Sequence, residues 1–134
     1  MKTAKTIWYD GKLQGTGESH CSLLEHGLHY GTGVFEGIRC YKTDSGPAIF
    51  RLDAHIKRMA TGASVLGMTL DESELAAAAC AVVAANGHES AYVRPIVFYG
   101  TGSLGLDVGE QLTTHTAVAS LPWSSHLGAM TEEK

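Results

Sequence analysis

Short apolar runs follow one another through residues 7–52, separated by turns too brief to hold a helix. A parallel strand pair needs a crossover of a dozen residues or more, so this spacing demands antiparallel pairing. The first unit is Ile7-Trp8-Tyr9, then Asp10-Gly11, then Lys12-Leu13. Asp-Gly suits a two-residue hairpin turn, whose positions require positive φ. Residues 16–19 are polar and glycine-punctuated, hence a loop, and residues 21–24 predict a short strand. Residues 34–41 read as a strand because apolar and β-branched residues recur without helical spacing. Thr-Asp-Ser-Gly-Pro at 43–47 turns the chain into a further strand over 48–52.

The pattern then becomes helical. Asp53 is placed to cap a helix reaching about Gly67, with Leu52, Ile56, Met59, Ala60, Ala63 and Leu66 on one face. A second helix starts at Asp71, which pairs with Glu74 in capping-box spacing, and stops at Asn86-Gly87. Its interior, LAAAACAVVAA, has side chains small enough to lie close against a sheet. Residues 91–99 (AYVRPIVFY) predict a strand that Pro95 would confine to an edge or a bulge. Residues 100–109 are a glycine-rich loop, and residues 114–121 alternate into a last strand. The fold class is α+β, a mainly antiparallel sheet with two helices packed on one face.

A chain of 134 residues, 44% hydrophobic and 18% charged, suits one globular domain with a true core. The net charge of −4, without any basic run, argues against a nucleic-acid partner. No apolar run reaches the length of a membrane span, and MKTAKTIWYDG lacks the apolar core of a secretory signal. Cys21, Cys40 and Cys80 are widely spaced and odd in number. They suit neither a disulfide framework nor a zinc site, which fits a reducing, cytoplasmic setting.

Unusual chemistry is concentrated in residues 26–39, HGLHYGTGVFEGIR. On a strand, Phe35, Gly37, Arg39 and Tyr41 share one side. An aromatic wall, a gap without a side chain and a permanent cation then line up, as a small anionic ligand requires. The alternative is a half-buried strand with an ordinary surface arginine. Tyr92 and Arg94, two apart on their strand, also face one way. They can hold a carboxylate through two guanidinium hydrogen bonds and a phenol, or form a cross-strand packing pair. Arg58 lies beside the apolar face of the first helix, either serving the helix dipole or reaching for a phosphate. His55 and Lys57 flank it as solvent-facing residues, and Glu36 points opposite Phe35 without a paired acid.

Reactive groups are harder to find. Gly100-Thr101-Gly102-Ser103-Leu104-Gly105 matches GxGxxG, but residues 106–114 (LDVGEQLTT) have no helical periodicity and position 125 is serine. A dinucleotide site needs a helix directly after the glycines and an acidic residue about twenty positions on, so the segment reads as a loop. No serine or cysteine has the context of a nucleophile. Lys2, Lys5, Lys12, Lys42, Lys57 and Lys134 lie in termini, turns or polar helix faces, where desolvation cannot depress a lysine pKa.

His29-Tyr30-Gly31-Thr32-Gly33-Val34-Phe35-Glu36-Gly37-Ile38-Arg39, Phe50-Arg51, His55, Arg58, Tyr92-Val93-Arg94-Pro95 and Pro122-Trp123 together resemble the branched-chain amino acid aminotransferases. These are class IV (fold-type IV) pyridoxal-phosphate enzymes, and the resemblance runs from Ile7 to Gly128. It implies that Arg58 holds the phosphate of pyridoxal 5'-phosphate. Tyr30, Phe35, Tyr92 and Trp123 would line the branched side-chain pocket, and Tyr92 would also bind the α-carboxylate. Arg94, with Tyr30, would meet the side-chain carboxylate of glutamate, with Gly37 and Arg39 on the same wall. Leu106 lies in a loop resembling one that reaches the neighbouring subunit's pocket, which implies a homodimer.

Two departures accompany the resemblance. His126 stands where many relatives carry tyrosine, which leaves the side-chain preference open. The Schiff-base lysine and the acid that pairs with the pyridine nitrogen belong to a C-terminal domain without a counterpart in this chain. Residues 1–122 would then be the small N-terminal domain and residues 123–134 the start of the interdomain linker. No catalytic residue is expected in this stretch, nor turnover or stable cofactor binding by it alone. D-amino acid aminotransferases, aminodeoxychorismate lyases and R-selective amine transaminases share the architecture. A non-catalytic assembly or binding domain is a different class of reading.

Overall fold

The computed structural model describes residues 4–123. The element order is β1 (Thr6–Tyr9), β2 (Lys12–Gly15), a 3-10 turn (Thr16–Glu18), α1 (His26–Tyr30), β3 (Gly33–Phe35), β4 (Ile38–Thr43), β5 (Gly46–Ile49), α2 (Leu52–Val65), α3 (Glu72–Ala85), β6 (Ala91–Tyr99) and β7 (Thr114–Pro122). The strands form a seven-stranded sheet of order β2-β1-β7-β6-β4-β5, with β3 also on β6, and every pairing is antiparallel. The α+β class and the antiparallel sheet are as the strand spacing requires. Asp10 and Gly11 take φ of 44° and 98°, as the first hairpin demands.

Alternation along β6 divides the sheet into two faces. Ala91, Val93, Pro95, Val97 and Tyr99 are buried, while Tyr92, Arg94, Ile96 and Phe98 are only half-buried. The buried side meets α2 through Ile56, Met59 and Ala63 and α3 through Leu75, Ala78, Ala79, Val82 and Val83. The inward face of α3 carries Ala78 and Ala79 beside Val82 and Val83, side chains short enough for its backbone to lie near the sheet. The other side of the sheet carries the polar and aromatic residues that the sequence marks as candidates.

Several local expectations need correction. β6 is central rather than at an edge, with β7 on one side and β3 and β4 on the other. Pro95 is tolerated because the strand predicted over 34–41 is divided opposite it, between Phe35 and Ile38. Glu36 N donates to Pro95 O at 3.1 Å, but proline has no N–H to return. Residues 21–24 form no strand. Ser22 N donates to Glu25 Oε1 and Leu24 N to Ser22 Oγ, local bonds that compete with a ladder. Helix α2 begins one residue before Asp53, with Arg51 at the N-cap in the left-handed region (φ 49°). Asp53 falls in the first turn, where its charge still favours the helix dipole. Asp71 caps α3 as expected, accepting from Glu74 N at 2.9 Å.

Candidate active-site face

The register of β4 against β6 sets Arg39 opposite Tyr92. Glu36, Ile38 and Cys40 are buried under α2 and α3, so Phe35, Gly37, Arg39 and Tyr41 stand on the open face. Arg94 Nη2 donates to Tyr92 Oη at 2.5 Å, and the Arg94 guanidinium lies 4.2 Å from the Phe35 ring centroid. Arg39 sits between two rings, 3.1 Å from the centroid of Trp123 and 4.7 Å from that of Tyr41. Tyr92 and Trp123 are themselves neighbours, with centroids 6.4 Å apart.

The gap at Gly37 is taken up by Tyr92. A β-carbon at this glycine would collide with the Tyr92 hydroxyl, so the absent side chain makes room for the phenol. The Nε atoms of Arg39 and Arg94 are buried and have no hydrogen-bond partner among the described residues. Buried donors of this kind ordinarily find an acceptor. A face with two such cations framed by aromatic rings suits a small carboxylate with an apolar body.

Arg58 occupies a different place. Its Nε donates to Glu36 Oε1 at 2.5 Å and its Nη2 to Glu36 Oε2 at 2.8 Å. His55 Nδ1 meets the same Oε2 at 2.8 Å, so His55 is a partner of this group rather than a solvent-facing bystander. The Arg58 hydrogen bond holds the Glu36 carboxyl below its ordinary pKa against the opposing effect of burial, with His55 adding to it. Glu36 in turn raises the pKa of Arg58. Arg51, Ala54, His55 and Arg58 line an open cleft of about 270 Å³. Three basic side chains around one small alanine suit an anion of phosphate size.

Tyr30 and Leu106 are not part of either group. Tyr30 Oη donates to Leu104 O at 2.6 Å, fixing the loop after β6 against α1. His26, fully buried, does the same from the other side: its Nε2 meets Gly105 O at 2.8 Å and its Nδ1 the Thr32 hydroxyl at 2.7 Å. A carbonyl only accepts, so Nε2 carries a proton. Leu106 projects from this loop at 83% exposure. His126 lies outside the described residues.

Residues 33–130 match the family model for amino-transferase class IV. The chain belongs to the class IV aminotransferases. Among curated relatives, the branched-chain-amino-acid aminotransferase of Pseudomonas aeruginosa is 44% identical over 124 residues, 91% of this chain and 40% of that one. The crystal structure of the Escherichia coli branched-chain amino acid aminotransferase superposes with a TM-score of 0.86 at 35% identity, covering 94% of this chain and 42% of that one. The T.th. branched-chain amino acid aminotransferase complexed with N-(5'-phosphopyridoxyl)-L-glutamate gives 0.85 at 42% identity, over 90% and 41%. This class IV aminotransferase chain thus spans about two fifths of the relatives it resembles.

Within the family fold, Phe35, Gly37, Arg39, Tyr92, Arg94 and Trp123 form one face, Arg58 sits with α2, and Tyr30 and Leu106 sit with the loop. Two features of this class IV chain escaped the sequence reading. Glu36 was legible as inward-facing from strand alternation, and His55 and Arg58 as neighbours three apart on a helix, but not as one group. The role of His26 had no signal, because its partner Gly105 O lies 79 residues along the chain. Among the described residues, no group of three or more His, Cys, Asp or Glu could hold a metal, and no helix is long and apolar enough to cross a membrane. Lys5, Lys12, Lys42 and Lys57 are all exposed.

Proposed function

We propose that this chain supplies the substrate face and the phosphate ligand of a pyridoxal-phosphate-dependent transaminase. The enzyme would exchange the amino group between branched-chain L-amino acids (leucine, isoleucine, valine) and 2-oxoglutarate or glutamate. The observation that carries the proposal is the Tyr92–Arg94 pair, beside a framework of aromatic rings, with buried Nε donors of Arg39 and Arg94 that have no hydrogen-bond partner among the described residues. The likeness to branched-chain aminotransferases, one of them complexed with a phosphopyridoxyl-glutamate, supports the same substrates.

The cofactor fits the residues present. The cleft of Arg51, Ala54, His55 and Arg58 offers cationic donors at an open edge, as a phosphate requires. When bound, pyridoxal phosphate supplies an electron sink for bond cleavage at the substrate α-carbon. The residues of this chain bind and orient. Tyr92 offers its phenol to the α-carboxylate, and Arg94 its free donors to the second carboxylate of glutamate. Phe35 and Trp123 present apolar surface to a branched side chain and exclude water from it. Arg39, stacked between Trp123 and Tyr41, keeps the indole in place. The loop bearing Leu106, latched by His26 and Tyr30, would close the pocket of a second subunit in a cytoplasmic homodimer.

The lysine and the pyridine-nitrogen partner would come from the portion of the relatives that this chain does not span. Residues 1–122 would be the small domain and residues 123–134 the lead into that portion. Incubation of the 134-residue chain with pyridoxal phosphate, L-leucine and 2-oxoglutarate should yield no glutamate. The complete protein should form glutamate from L-leucine and leave D-alanine untouched. Turnover by the chain alone, or a preference for D-alanine, would overturn the reading.

A further inference from the structure

Arg58 and Glu36 form an asymmetric pair. The Arg58 side chain is 72% exposed, whereas that of Glu36 is 5% exposed on the helix-covered side of the sheet. Both carboxylate oxygens are engaged, Oε1 by Arg58 Nε and Oε2 by Arg58 Nη2 and His55 Nδ1. The guanidinium is not. Its side edge, Nε with Nη2, faces Glu36, and the end edge, Nη1 with the second Nη2 hydrogen, makes no hydrogen bond among the described residues. That end edge is itself a bidentate donor with the spacing of two phosphate oxygens.

Position on the helix adds to this. Residues 51, 54, 55 and 58 recur at helical spacing, so they share one face of α2. His55 is held by the same carboxylate, so one buried acid sets the direction of two of the three basic side chains lining the cleft. A long, exposed arginine normally samples many rotamers and loses that freedom when it binds an anion. Here the choice is made during folding.

We propose that Glu36 is a positioning residue for the phosphate site, clasping Arg58, with His55 held beside it, so that the remaining guanidinium donors face the cleft. The inference rests on the reading of Arg58 as the phosphate ligand. It makes a prediction of unusual sign. An acid beside an anion site should repel the anion, so if Glu36 merely neutralised Arg58, its removal would strengthen binding. If it positions Arg58, removal weakens binding although a negative charge is lost.

The test compares pyridoxal phosphate with pyridoxal, which lacks the phosphate, by absorbance titration of the complete protein. Glu36→Gln should bind pyridoxal phosphate about tenfold more weakly, with pyridoxal affinity unchanged within about twofold. Maximal turnover should return at saturating cofactor, because the loss is in binding. His55→Gln, at a half-exposed position that spares the core, should weaken pyridoxal phosphate about threefold and serves as the test should the buried variant not fold. Arg58→Ala separates the two levels. If it leaves the preference for the phosphorylated form intact, the phosphate reading fails and this proposal with it. If Arg58→Ala abolishes the preference while Glu36→Gln or His55→Gln binds as tightly as the parent or tighter, the positioning role alone is overturned.

Discussion

Arg39 lies over the indole of Trp123, its guanidinium carbon 3.1 Å from the ring centroid. The contact joins β4 to the residue that follows β7 across the intervening β6. A planar, weakly hydrated guanidinium can take this position and a lysine ammonium cannot do so equally well. Arg39→Lys should therefore loosen Trp123 without unfolding the sheet. The other tryptophan, Trp8, is buried in the core, so the response is readable. Acrylamide should quench a larger share of the fluorescence in the variant, and an unchanged quenching curve would count against the stack.

Gly37 leaves room for the phenol of Tyr92. Gly37→Ala should displace the hydroxyl and break its 2.5 Å bond with Arg94. The expected loss is about 1–2 kcal/mol of carboxylate binding, roughly tenfold, typical of a hydrogen bond to a charged group. Titration of the complete protein with 4-methyl-2-oxopentanoate would measure it. Stability should change less than affinity, because Gly37 lies on the open face.

Asn86 ties the beginning of the chain to the end of α3. Its Oδ1 accepts from Lys5 N and Thr6 N, and its Nδ2 donates to Thr6 O, Val82 O and Ser120 Oγ. Asn86→Ala should destabilise the fold by about 2–3 kcal/mol, since several part-buried groups lose partners together. Hydrogen exchange at Lys5 and Thr6 should accelerate by more than at β6.

His88 makes stability depend on pH. Burial pushes its pKa below the ordinary 6.5, and Nδ1 meets Ser120 Oγ at 3.0 Å. The unfolded chain takes up the proton first as pH falls. The stability linked to neutral His88 is thus fully present above 6.5 and is lost as pH drops through that value toward the depressed one. Urea midpoints should fall between pH 7.5 and 5.5, and His88→Gln should flatten that fall. An equal fall in both proteins would assign the effect to another group.

The antiparallel sheet was legible because the runs before residue 52 leave no space for crossovers, and the helices because of their apolar spacing and the Asp71 cap. The side of the strand shared by Phe35, Gly37, Arg39 and Tyr41 followed from alternation alone, and it survives the division of that strand at Glu36 and Gly37. What escaped depends on contacts far apart in sequence. Pro95 suggested an edge because a missing N–H is usually exposed there, and only the facing Glu36–Gly37 break lets it sit centrally. The helix α1 is only five residues long, includes Gly27, and is fixed by the burial of His26 rather than by propensity. The clasp of Glu36 on Arg58 joins the break between β3 and β4 to a helix residue 22 positions later, beyond any local pattern.

The most direct measurement is the steady-state kinetics of Arg94→Met in the complete protein, compared between L-glutamate and L-leucine. If the free donors of Arg94 meet the second carboxylate of glutamate, kcat/KM for glutamate should fall about a hundredfold, as for loss of a charge-assisted pair. Leucine, which has no second carboxylate, should lose no more than about threefold. An equal loss for both substrates, or none for glutamate, would contradict the assignment of this face.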